Sequence, residues 1–195
     1  MNEPDQAGRR RVAILSDTHG DLDDRVADLV SECDLAVHGG DIGGLSVLAR
    51  LTPRGGRVIA VRGNNDQPRH WPVDERQILD CLPEIADVVL PGGQLILIHG
   101  HQYPAFRRHA MLRRRFPQAR AVVYGHSHHL SIDRDQAPWI LNPGAAGRVR
   151  THGGASCLIL TATETDWSLV VHRFALTPRR RPRPRRGLDQ SAAAP

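Results

Sequence analysis

The chain has no lysine. All 26 of its basic residues are arginines, so each cation is a planar, permanently charged fork and not a titratable amine. Aromatic residues make up only 4%, and none interrupts the arginines of "TPRRRPRPRRGLDQSAAAP" at the C-terminus. Without rings between those arginines, stacking recognition of single-stranded nucleic acid lacks its usual platform. Cysteine is scarce too: Cys33, Cys81 and Cys157 are odd in number, far apart and form no Cys-x-x-Cys pair. That pattern argues against a disulfide framework or a thiolate zinc site and for three small buried hydrophobes. No apolar run approaches the ~20 residues of a membrane-spanning helix. "RRRVAILSD" sets basic residues before apolar ones, but Val12–Leu15 falls well short of the roughly 7–15 apolar residues of a secretion signal. The expectation is a cytoplasmic protein with no membrane contact.

What is present describes an ordinary soluble domain. In 195 residues, 40% are hydrophobic, 24% are charged and the formal charge is +5, enough chain for one buried core. Residues 1–10 read as a flexible N-terminus, 11–176 as the folded domain and 177–195 as a disordered Arg/Pro-rich tail. Short apolar runs alternate with helical segments up to about Glu75. "RVAILSD", "DLAVHGGD" and "RVIAVRGNND" read as strands; "DLDDRVADLVSEC" and "GGLSVLARL" read as helices, which predicts an α/β fold with crossovers. Beyond Glu75, "RQILDCLPEIADVVLPGGQLILIHGH" reads as successive strands with Pro-Gly turns, followed by the basic amphipathic helix "AFRRHAMLRRRF" and further strands and hairpins.

The informative pattern lies where the strands stop. Successive apolar runs end in Asp17 and His19, in Asp41, in Asn64 with Asn65 and Asp66, in His99 with His101, and in His126 with His128. Ligand sites of open α/β sheets lie at such ends. Asp, His and Asn offer oxygen and nitrogen donors and no sulfur, which suits Mn²⁺, Fe or Zn²⁺. Residues two apart in an extended segment point the same way. Asp17 with His19, and His126 with His128, are therefore expected to act as pairs, with His129 on the other side. His101 is placed to meet substrate or water, and Asp21 to cap the following helix. Asp66 is expected to cap its turn or support Asn64. His38 is expected either to orient a ligand or to be packed, while His70, His109, His152 and His172 have no motif around them.

Asp17-Thr18-His19, Gly40-Asp41, Gly63-Asn64-Asn65-Asp66, His99-Gly100-His101 and Gly125-His126-Ser127-His128 together resemble the calcineurin-like metallophosphoesterases. The small YfcE-like phosphodiesterase branch is the nearer match, because Asn142-Pro143-Gly144 follows the last histidine motif. The resemblance implies a single-domain, four-layer α/β/β/α sandwich. It also implies two divalent metal ions, Mn²⁺ first with Zn²⁺, Fe or Ni²⁺ as substitutes. One ion would be held by Asp17, His19, Asp41 and His128, the other by Asp41, Asn64, His99 and His126. Two such cations about 3.5–4 Å apart share and activate a hydroxide for in-line attack on phosphorus.

The implied activity is hydrolysis of phosphodiester or phosphomonoester bonds of a small substrate. Three departures qualify it. Asn65 stands where larger relatives carry a proton-donating histidine, and asparagine is no acid at neutral pH; His101 is the substitute candidate. Ala145 replaces the serine of Asn-Pro-Gly-Ser, and "GDIGG" is not the Asp-Arg-Gly pattern of protein Ser/Thr phosphatases. Two rival readings stand beside the enzyme. One is a non-catalytic interaction scaffold like the retromer subunit of this fold, a branch marked by loss of a ligand histidine, whereas all seven ligand positions are occupied here. The other is a nucleic-acid or nucleotide phosphodiesterase recruited by the basic tail. Homo-oligomerisation is left open by the sequence.

Overall fold

Alternate residues of each strand take opposite sides, and that parity builds the layers. In β1 (Arg10–Leu15), Ala13 and Leu15 face one core while Val12 and Ile14 face another. β9 (Ser156–Ala162) divides the same way, with Cys157 and Ile159 against Leu158, Leu160 and Ala162. Both strands belong to a five-stranded sheet of order β10-β9-β1-β2-β3, completed by β2 (Leu35–His38), β3 (Arg57–Ala60) and β10 (Trp167–Arg173). Its outer face carries α1 (Asp24–Ser31), α2 (Leu45–Arg50) and α3 (Arg76–Cys81) through Val26, Val30, Val47 and Leu79.

The second sheet has the order β4-β5-β6-β8-β7, from Ile85–Leu90, Gly93–Ile98, Ala121–Val123, Trp139–Pro143 and Leu130–Asp133. Leu95, Leu97, Ala121 and Val123 meet the first sheet, whereas Ile96, Ile98 and Val122 turn outward onto Leu112 and Phe116 of α4 (Arg108–Arg115) and its C-cap. The result is the expected α/β/β/α sandwich in one domain. In this computed structural model residues 8–176 are described. The expected tail, 177–195, lies outside them, as do residues 1–7 of the expected flexible N-terminus; Arg10 already belongs to β1. No helix among the described residues is long and apolar enough to cross a membrane.

Three local expectations need correction. Arg76–Cys81 is helical and not a strand. Ile78, Leu79 and Leu82 have helical spacing and pack on the first core, and Pro83 follows directly. The cap of α1 is Asp23 and not Asp21: the Asp23 carboxylate accepts from the Arg25 N–H at 3.0 Å. Cys33 and Cys157 are buried as expected, but Cys81 ends α3 on its solvent side and is exposed.

Candidate metal centre

Asp17 and His19 follow β1, Asp41 follows β2, Asn64 follows β3, His99 follows β5, and His126 and His128 follow β6. Sequence order alone would scatter these residues over the chain; the parallel strands bring them to one edge. The pairing expected from extended backbone is wrong in its mechanism. Asp17 (φ 54°), His19 (φ 49°), Asp41 (φ 56°), His126 (φ 68°) and His128 (φ 58°) all take the left-handed conformation. Each such residue costs on the order of 1–3 kcal/mol and survives only where surrounding contacts enforce it. Enforcement is visible: the Asp17 N–H donates to Gly40 O at 3.0 Å and the His19 N–H to Asp41 O at 2.9 Å. Consequently His126 and His128 diverge and serve different halves of the site.

In one half, Asp17, His19, Asp41 and His128 each offer a ligand atom, all within 4.8 Å of one another. His128 Nε2 lies 3.0 Å from His19 Nε2 and 3.4 Å from Asp17 Oδ1. In the other half, Asn64 Oδ1 lies 2.9 Å from His126 Nδ1 and 3.1 Å from His99 Nε2, which is also 3.4 Å from Asp41 Oδ2. Asp41 joins the halves, its Oδ2 also 3.8 Å from His19 Nε2. This division is the one the family resemblance implied. His101 stays on the flank, exposed, with its ring centroid 5.6 Å from that of His99 and 6.2 Å from that of His126.

The tautomers show what such a cluster fits. His99 Nδ1 donates to Gly39 O at 2.8 Å and His128 Nδ1 to Arg150 O at 3.2 Å, since a carbonyl only accepts. Burial works against protonation of His99, but Asp41 overrides it and raises His99, so the proton at Nε2 stands where a cation would take its place. With that proton gone, both Nε2 atoms aim lone pairs at carboxylate, amide and imidazole acceptors. Acceptors converging without protons between them repel, and a cation relieves that repulsion. Burial pushes Asp17 up to about 7, and the nearby His99 and the Ser16 hydroxyl offset that only in part. Burial also lowers His126 and His128 to about 4, which keeps both imidazoles available as neutral donors. The donor set therefore fits divalent cations. Space is tight as well: a Cβ on Gly40 would stand 2.7 Å from His99 Nδ1, and one on Gly125 2.8 Å from Asp17 Oδ2.

A buried frame holds these side chains. His38 is fully buried. Its Nδ1 accepts from the Gly40 N–H at 3.2 Å, so Nε2 donates to Thr18 Oγ1 at 2.9 Å, and that hydroxyl donates to Ile42 O. His38 thus braces Thr18, the residue between Asp17 and His19. Asp66 is buried and accepts from the N–H groups of Ile42, Gly43 and Gly63 and from Trp71 Nε1, which ties the Asp41 loop to the Asn64 loop. Asn142, also buried, donates to Gly125 O at 2.8 Å and Ser127 Oγ at 3.0 Å. Asn65 donates from its backbone to Asp41 Oδ1 at 2.8 Å and from its side chain to Oδ2 at 2.7 Å. It clamps the shared carboxylate.

The brace predicts acid sensitivity. Burial lowers His38 to about 3 against roughly 6.5 in the unfolded chain, so the unfolded state takes the proton first. The His38 contribution to stability is full above about pH 6.5 and falls by about 1.4 kcal/mol per pH unit toward pH 3. Between pH 7.5 and 5.0 in EDTA, urea denaturation should record about 2 kcal/mol more loss for the natural chain than for His38→Gln. Equal losses would remove the brace as the titrating group.

Several participants had no signal in the sequence. His70, set aside there, has Nδ1 2.8 Å from Asn65 O and lines a small cleft of about 190 Å³ with His19, Asp41 and Asn65. Its only cue would have been position, five residues after Asn65. Arg150, not singled out at all, places Nη2 3.5 Å from His19 Nε2. His129 points away as expected and stacks on His152 with centroids 3.8 Å apart. His109 bridges Asp133 and Tyr124 on the far side of the second sheet. On the His101 side, a cleft of about 340 Å³ is lined by Arg62, Asn64, Gln67, Glu84 and His101.

Comparison with known proteins agrees with this architecture. The model of the calcineurin-like phosphoesterase superfamily domain matches residues 11–165. A phosphodiesterase of Methanocaldococcus jannaschii is 24% identical over 144 residues, which cover 69% of this chain and 82% of that protein. A conserved Streptococcus pneumoniae protein described as a predicted phosphoesterase superposes with a TM-score of 0.58 at 19% identity, covering 87% of this chain and 94% of that one. Vps29 of Chaetomium thermophilum superposes with a TM-score of 0.68 at 14% identity, covering 84% and 85%.

Proposed function

Because the chain belongs to the calcineurin-like phosphoesterase superfamily, we propose that it hydrolyses phosphodiester or phosphomonoester bonds of a small substrate with two divalent cations, manganese first among them. One observation carries the reading. Seven oxygen and nitrogen donors converge in two halves around the Asp41 carboxylate, with the Nε2 atoms of His99 and His128 aimed inward. Cations bound there would activate water and neutralise charge developing on the phosphoryl oxygens. Asp17, His19, Asp41 and His128 would hold one, and Asp41, Asn64, His99 and His126 the other. The protein's own work is orientation. His38, Asp66 and Asn142 hold the ligand loops, and Asn65 fixes the carboxylate that both halves share.

Proton delivery to the leaving group is the weak step. The Asn65 amide is engaged with Asp41 and has no acidic proton at neutral pH. His101 is the nearer candidate, exposed beside the cleft. The expected preference is for aryl over alkyl esters, whose leaving groups need no acid. Asn65→His should raise alkyl turnover relative to aryl by about tenfold to a hundredfold. An unchanged alkyl/aryl ratio counts against this account.

The general test is a panel of phosphate mono- and diesters assayed with Mn²⁺, Mg²⁺, Zn²⁺ and EDTA. Metal-dependent hydrolysis that chelation abolishes is the expected result. A chain inert on every ester with every metal would leave the scaffold reading in its place.

A further inference from the structure

Beside the donor cluster stands a cation that a metal site alone does not explain. Arg150 lies in the loop between β8 and β9, exposed, with Nη2 3.5 Å from His19 Nε2. Two residues earlier, Arg148 meets Asp21 at 3.6 Å and Asp24 at 3.3 Å. Arg150 meets no carboxylate within ion-pair distance among the described residues. It is also fastened to the site by its backbone, in the left-handed conformation with φ 54°, where its carbonyl receives the His128 Nδ1–H at 3.2 Å. The same residue thus orients a donor imidazole and extends a positive fork over its neighbour.

A fixed guanidinium next to a cation site is repulsive unless an anion lies between them. Arginine is the side chain whose fork matches two phosphoryl oxygens at once. We propose that Arg150 is a substrate-binding residue that grips the non-bridging oxygens of the phosphoryl group at the mouth of the His19–His128 half. The assignment rests on the phosphoester reading above and adds to it the side chain that recognises the anion. Because the guanidinium meets phosphoryl oxygens in substrate and transition state alike, its removal raises KM more than it lowers kcat.

The test is calorimetric titration of inorganic phosphate into the manganese-loaded full chain, for the natural protein, Arg150→Gln, Arg150→Lys and Arg148→Gln. Arg150→Gln keeps the backbone carbonyl that holds His128, so bound manganese per chain should stay at the natural value. Its phosphate Kd should rise about tenfold or more. Arg150→Lys, which keeps charge without the fork, should fall between, and Arg148→Gln should match the natural chain. Unchanged phosphate affinity in Arg150→Gln overturns the proposal, and so does an equal loss in Arg148→Gln, which would reflect net charge alone. If Arg150→Gln fails to fold, Arg150→Lys decides by the same comparison. Arg150-dependent phosphate binding in a protein that hydrolyses no ester would sink the enzyme reading and leave this one standing. Hydrolysis that is indifferent to Arg150 would do the reverse.

Discussion

Asp41→Asn should lower kcat/KM for phosphodiester hydrolysis by at least about a thousandfold, since each factor of ten corresponds to 1.36 kcal/mol and a bound cation supplies several. The substitution changes charge and almost nothing in shape. Asp41 is 1% exposed and stands between the two halves, 3.8 Å from His19 Nε2 and 3.4 Å from His99 Nε2. Burial pushes its carboxyl up, but the contacts with His99 and Asn65 more than offset that and hold it well below the usual carboxylate range. It is therefore charged throughout the neutral range. Asparagine would present one oxygen and no charge to both halves at once. Elemental analysis of the variant should find fewer than two manganese ions per chain. Natural rates with full metal content would end the two-cation reading.

The largest effect on stability is expected from Asp66→Ala. Asp66 is 2% exposed and accepts from Ile42 N at 2.9 Å, Gly43 N at 3.0 Å, Gly63 N at 2.8 Å and Trp71 Nε1 at 3.1 Å. Removing the carboxylate leaves four donors without this partner, three of them on buried residues. An orphaned buried donor costs about 1–3 kcal/mol, and breaking a buried charged network about 3–5 kcal/mol in all. Urea denaturation at pH 7.5 in EDTA should show that loss, and the melting midpoint should fall by roughly 10 °C for a chain of this size. Asp66→Asn, which keeps an acceptor oxygen, should lose less. A drop below about 1 kcal/mol for alanine would mean that water reaches these donors. Manganese affinity should fall alongside, because the Asp41 and Asn64 loops lose their common anchor.

The two predictions involve residues of different legibility. Asp41 could be read from the chain because it ends an apolar run beside glycine, a purely local signature repeated at four other strand ends. The alternation of short apolar runs with helical segments was legible too, but the four-layer sandwich followed only from the family resemblance, and the structure supplies its reason. Parity within Val12–Leu15 and Leu95–Ile98 assigns each strand two apolar faces, and helices must cover the outer ones. Arg76–Cys81 was misread because a short apolar segment of mixed spacing is compatible with either period. Asp66 was expected only to cap its turn or support Asn64. Its hold on Ile42 and Gly43 spans 24 and 23 residues of sequence, and no spacing rule reaches that far.

By itself the sequence determined which side chains can offer oxygen and nitrogen to a cation, and at which strand ends they stand, because donor chemistry and strand period are local properties. How they divide was implied by the family resemblance and not by strand period; only the tertiary structure gives the physical reason. Left-handed backbone at Asp17, His19, Asp41, His126 and His128 turns His126 toward Asn64 and His128 toward His19, against the alternation an extended strand would give. That conformation is unfavourable in isolation and holds only where contacts from distant segments outweigh its cost. The same dependence on distant contacts explains why His38, Asn142 and Arg150 acquire their positions in the folded chain and not in the linear one.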